Sequence, residues 1–316
     1  MSALTHEVKD AKSPVAQWLR ATFPHYKEIQ AGFRVGAGSA RVLPTKAVAS
    51  GTQGAAIDWW LRMLVDPAVS LDLPLAGLQT GRVPCVTAGV ELLAGLGAIA
   101  SDRTTGPMRP AAFTERSDQW WARVCYALAL LVEPYRAASV EHSRLMRLDA
   151  SSTARDLLAL ANDDEVADLI AMRDLARDRL LPALPAGGPV TTGMTFDGSK
   201  DLNADADLIA GGVLVDFKAS QGSRPRTDGT RAASLARTDL DQLLGYALMD
   251  YSNTYALHTV AIYAVRFGYF AAWPLDEICA QMAGRRLDIA ELRRQFAQVL
   301  KVQLPAQRGP HLMETR

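Results

Sequence analysis

Between Ala204 and Lys218 two apolar runs studded with acids meet at Gly211-Gly212, and this segment constrains the fold more than any other. Adjacent glycines take the positive φ of a two-residue primed turn without steric cost, so the flanking runs pair as a hairpin whose register the turn sets. Ala210 then faces Val213, Asp207 faces Asp216, and Asp205 faces Lys218. Directly opposite Cβ atoms in such a pair lie about 5 Å apart. Side chains alternate along a strand, so Asp216 and Lys218 share one face while Val215 and Phe217 share the other. The segment therefore predicts a patch of Asp205, Asp207, Asp216 and Lys218 on a hairpin that is otherwise apolar. Facing carboxylates beside Leu208, Ile209, Val213, Leu214 and Val215 are costly unless compensated. A divalent cation is a natural compensator, and oxygen-only donors favour magnesium or manganese over zinc.

The rest of the chain divides by grammar. Residues 1–150 read as a helical region, with helices predicted over 14–19, 55–65, 86–100 and 117–132. Two more follow over 151–160 and 163–181, the second opened by an Asn-Asp-Asp cap and closed by Pro182. Beyond the Pro182–Pro189 breaker cluster, strands are expected over 191–196, 204–210 and 213–220, then a polar loop and a helix over 234–251. A strand pair over 259–266 and 269–273 and a closing helix from Pro274 complete an α/β region spanning 151–316. The predicted class is a mixed β-sheet flanked by helices, with a mainly helical N-terminal region available to recognise substrate or a protein partner.

Composition sets the outer limits. Across 316 residues, 34 basic side chains balance 34 acidic ones, so the chain does not coat nucleic acid by bulk charge, and any contact is local. Cys85, Cys125 and Cys279 are scattered and odd in number, which argues for a reducing, cytoplasmic compartment. No signal peptide or membrane span is legible. Gly36-Ala37-Gly38 lacks the glycines and strand context of a dinucleotide fold, and His6, His25, His142, His258 and His311 show no metal spacing. Trp59-Trp60 and Trp120-Trp121 read as helix core and rim, or as stacking platforms for bases.

A second motif follows the hairpin. Gln242 and Tyr246 are four residues apart and share a helical face. Asp207, then Asp216-Phe217-Lys218, then Gln242-x-x-x-Tyr246, on strand, strand and helix, resembles the PD-(D/E)XK nuclease superfamily and most closely its RecB-like exonuclease branch. The resemblance covers about residues 163–273, with Ala206 in place of the name-giving proline. It implies a restriction-endonuclease-like core that hydrolyses phosphodiester bonds of nucleic acid, with DNA the first expectation, using Mg2+ or Mn2+. By this resemblance Asp207, Asp216 and the Phe217 carbonyl are metal ligands, Lys218 positions the attacking water, and Gln242 and Tyr246 flank the site. An upstream helical acid is also implied: Glu165 is the candidate, Asp168 is close behind it, and His142 is a further option. The alternative is a protein that keeps the nuclease fold without turnover and serves in binding or assembly.

Local positive charge lies next to this set. Arg224, Arg226, Arg231 and Arg237 face a single Asp228 between residues 219 and 238, which suits phosphate capture or, equally, a solvated loop.

Overall fold

The computed structural model describes residues 3–46, 48–97 and 115–308. Five strands form one mixed sheet in the order β1 (Val190–Thr192), β2 (Leu208–Ala210), β3 (Val213–Lys218), β4 (Thr259–Ala264), β5 (Tyr269–Pro274). Only the β3–β4 pair is parallel, as expected where a helical crossover separates two strands. The hairpin has the register its glycines dictate: Ala210 pairs with Val213 and Leu208 with Val215, around Gly211 at φ +53° and Gly212 at φ +81°.

Alternation along these strands sorts the core into two layers. Leu208, Ala210, Val213, Val215, Ala261 and Tyr263 face one way, toward α4 (Ser50–Val65), α7 (Asp118–Arg136) and α9 (Asp163–Arg179). Ile209, Leu214, Val260 and Ile262 face the other way, toward α1 (Ala3–Lys9), α10 (Arg237–Met249), α11 (Leu275–Ala283) and α12 (Ile289–Gln298). The first layer also receives α5 (Asp72–Gln79), α6 (Val86–Gly95) and α8 (Ala154–Leu158), and the second α2 (Pro14–Thr22), α3 (Lys27–Ala37) and α13 (Leu304–Arg308).

The predicted division at residue 150 is not a packing boundary. Leu4, Val8, Val15, Leu19, Phe23, Ile29 and Phe33 are buried in the same layer as α10 to α12, while Trp60, Leu61 and Leu128 share the opposite layer with β2 and β3. Amphipathic helices at the N-terminus cover whichever sheet face is open, and here they cover both. The expected strand over 191–196 stops at Thr192, because Gly193 turns at φ +61° into the region where glycine is favoured. The helix expected over 86–100 ends at Gly95, and 98–100 lie outside the described residues. Among the described residues no helix is long and apolar enough to cross a membrane.

Candidate active site

The ladder of the hairpin ends at Leu208 and Val215, and Asp207 and Asp216 are the next residues beyond that pair. Asp207 Oδ2 accepts a hydrogen bond from the Phe217 amide at 2.7 Å, which locks the first acid onto the strand bearing the second. Asp216 is 2% exposed. Burial pushes its carboxyl up to about 7; Lys218 pulls it back, and the charge of Asp207 adds to the rise. Lys218 Nζ lies 2.7 Å from Asp216 Oδ2, and that oxygen makes no hydrogen bond of regular geometry.

The motif on α10 closes onto the same lysine. Gln242 Oε1 accepts from Lys218 Nζ at 3.0 Å, while Gln242 Nε2 donates to Tyr246 Oη at 2.7 Å and to Thr5 Oγ1 at 3.1 Å. An ammonium can only donate, so it dictates which end of the amide faces it. The buried Tyr246 ring stacks on Phe196 with centroids 6.1 Å apart, fixing the far end of this chain of contacts. Asp239 stands 3.7 Å from Lys218 Nζ. Burial alone would lower the lysine's pKa, but Asp216 and Asp239 outweigh it and hold the ammonium above its ordinary range. The side chains of Lys218 and Asp207 are 23% and 18% exposed and that of Asp216 only 3%, so a solute meets the lysine and the first acid before the second.

Several expected partners are used elsewhere. Asp205 does not face Lys218: its backbone bridges Thr195, and Arg136 Nη2 holds both its oxygens at 2.8 and 2.9 Å. The strand pairing ends before residue 205, so the hairpin register no longer aims its side chain. Glu165 is buried with both oxygens filled. Arg144 spans them with two bonds of 2.7 Å, Tyr126 Oη donates at 3.0 Å, and the carboxylate returns to the Asn162 amide in a capping box. Asp168 is held by both terminal nitrogens of Arg266, at 2.7 and 2.8 Å. The oxygens of both α9 acids are thus taken up by protein donors, and the contacts of Glu165 run to Arg144, Tyr126 and Asn162. His142 is exposed. Of the loop arginines, Arg224 and Arg226 are exposed, but Arg231 donates to the Ser223 carbonyl. Arg237 pairs with Asp241 at 2.8 Å, donates to the Leu19 carbonyl and sits 4.6 Å from the Tyr26 ring centre, so it braces α10.

The residue that the sequence pattern missed is Arg62. It forks onto Asp58, one turn before it on α4, at 2.7 and 2.9 Å, and reaches Asp207 Oδ1 at 3.0 Å. Gly193 makes room: a Cβ there would lie 2.7 Å from Arg62 Nη1. Burial pushes the Asp58 carboxyl up to about 7, against the pull of Arg62 and with the charges of Asp207 and Asp205 adding to the rise. The i,i+4 spacing of Asp58 and Arg62 is legible in sequence, but their meeting with Asp207 is not.

Asp207 and Asp216 suit a hard cation. Two carboxylates, one of them buried, with an oxygen short of hydrogen bonds, match the way magnesium uses one or two carboxylates and completes its shell with water and phosphate oxygens. Among the described residues no group of three or more His, Cys, Asp or Glu side chains converges on one point. No family model matches the chain, and no match is found among curated proteins or solved structures.

Proposed function

We propose that the chain is a metal-dependent nuclease of the PD-(D/E)XK type, acting on nucleic acid and most simply on DNA. The observation that carries this reading is the contact chain from Asp216 through Lys218 and Gln242 to Tyr246, with Asp207 bonded to the strand beside it. The order α9, β1, β2, β3, α10, β4, with β3 and β4 parallel, supports the restriction-endonuclease-like core. Three buried free thiols agree with the reducing cytoplasm we propose for it.

Asp207, Asp216 and the Phe217 carbonyl would hold Mg2+ or Mn2+. Bound there, the ion would lower the pKa of its water and offset charge accumulating on the phosphorus. Lys218, partly exposed and kept charged by two acids, orients the attacking water or meets a phosphate oxygen. Gln242 and Tyr246 are positioning residues: the amide oxygen of Gln242 holds the ammonium beside Asp216, and Tyr246 holds the amide. Arg224 and Arg226 supply a local cationic approach for the strand.

A second reading, the nuclease fold kept for binding without turnover, rests on Arg62. Its guanidinium already offsets the charge of Asp207, and no third acid completes the set among the described residues. Incubation with single-stranded DNA, duplex DNA and RNA in magnesium or manganese separates the two. The enzyme reading expects cleavage that Asp216→Ala and Lys218→Ala remove; no cleavage of any substrate supports the second, and undiminished cleavage by the variants overturns the assignment of this site.

A further inference from the structure

A cavity of about 600 Å3 lies between α4 and α7, next to the acids. Trp59, Leu73 and Val132 supply apolar wall, and Arg62, Glu133 and Arg136 supply polar groups. Two of these touch the hairpin directly, Arg62 at Asp207 and Arg136 at Asp205. The cavity is therefore one side chain away from the proposed metal ligand.

We propose that this cavity receives one nucleoside phosphate, the nucleotide flanking the scissile bond; this rests on the nuclease reading above. The volume is that of a small-ligand pocket and exceeds what one base and sugar need. Trp59, 6% exposed, lines the wall with the Arg62 guanidinium over its ring at 5.7 Å, and this indole–guanidinium pair is the surface for stacking. Arg136 binds Asp205 through Nη2 alone, and its Nε and Nη1 make no bond to the protein among the described residues, which leaves two donors for a phosphate oxygen. Glu133, fixed by Thr52 and Ser143, offers carboxylate acceptors to the N–H groups of a base edge. A peptide or lipid would leave this combination of paired guanidiniums, indole and carboxylate unmatched. The ligand can arrive as part of a strand or as a free mononucleotide.

The test is fluorescence anisotropy of the full chain with a labelled short single-stranded deoxyoligonucleotide and its RNA counterpart, with calcium in place of magnesium so that cleavage does not intervene. An abasic residue is moved through the strand one position at a time. Stacking in a pocket predicts that abasic replacement at one position weakens binding about tenfold or more. Ala55→Trp and Ala138→Trp fill the cavity from exposed wall positions, and either, checked for an unchanged melting temperature, brings the intact strand down to the abasic level. Competition by a deoxynucleoside monophosphate marks a free nucleotide as an additional source of the same ligand. A flat abasic scan, or both folded tryptophan variants binding like wild type, overturns the proposal. A strand bound with this signature but never cut in magnesium overturns the nuclease reading instead.

Discussion

Two pairs of acids lie against the sheet, three of the four residues buried, and the pairs are treated differently. On α9, Glu165 and Asp168 are each met by an arginine with two bonds, and helper groups fill what remains. On the hairpin, Asp207 and Asp216 follow the last paired residues, and burial raises the Asp216 pKa, against the pull of Lys218 and with the charge of Asp207 adding to the rise. The first set behaves as internal bracing, since a buried carboxylate with a complete set of donors costs little once the fold is formed. In the second, Asp207 is held at both oxygens by Arg62 and the Phe217 amide, while Asp216 pairs with Lys218 and keeps one buried oxygen without a hydrogen bond. The sets differ at Asp216, the one of these four acids with a buried oxygen that lacks a hydrogen bond, and the proposed chemistry is centred there.

The comparison breaks first if the hairpin set proves to be bracing. Lys218→Ala is expected to lower cleavage by about 10^3-fold, the scale of a lost proton-transfer or water-positioning group, while the folded fraction in denaturant titration stays high. The opposite pattern is expected on α9. Asp168→Asn leaves Arg266 with its charge unmatched in the core and lowers unfolding free energy by about 3 kcal/mol, measured by urea melts, with cleavage per folded molecule retained.

A third prediction concerns pH in the presence of a chelator. Asp216 and Asp58 have folded pKa values near 7, above the ordinary aspartate value of 3.8. Between these limits the folded chain holds protons that the unfolded chain has released, so both groups make stability fall as pH rises from about 4 to 7 and then level off. Asp216→Asn combined with Asp58→Asn should flatten that slope in melts across the range; an unchanged slope places its origin elsewhere. The smallest effect belongs to Gln242→Ala. Freed from its amide partner, Lys218 keeps Asp216, and a rate loss of about tenfold is expected with substrate affinity little changed.

The hairpin was legible because two glycines and strict alternation leave one register, and the face shared by Gln242 and Tyr246 because helical spacing is local. Arg62 was not, since its contact with Asp207 spans 145 residues and nothing in either neighbourhood announces it. Glu165 misled for a related reason. An acid early in a helix suits both a capping box and a ligand, and only Arg144 and Tyr126, supplied from elsewhere, decide between them. The cover given to the second sheet face by α1 to α3 was also hidden, because amphipathic helices declare an apolar side without naming what it meets.

The central claim is that Asp207 and Asp216 form a divalent-cation site. Calorimetric titration of the full chain with manganese tests it most directly. The account predicts saturable binding that Asp207→Asn and Asp216→Asn each abolish and that Glu165→Gln, in its folded fraction, retains. Absence of binding, or binding that survives both hairpin variants and is lost in Glu165→Gln, would contradict it.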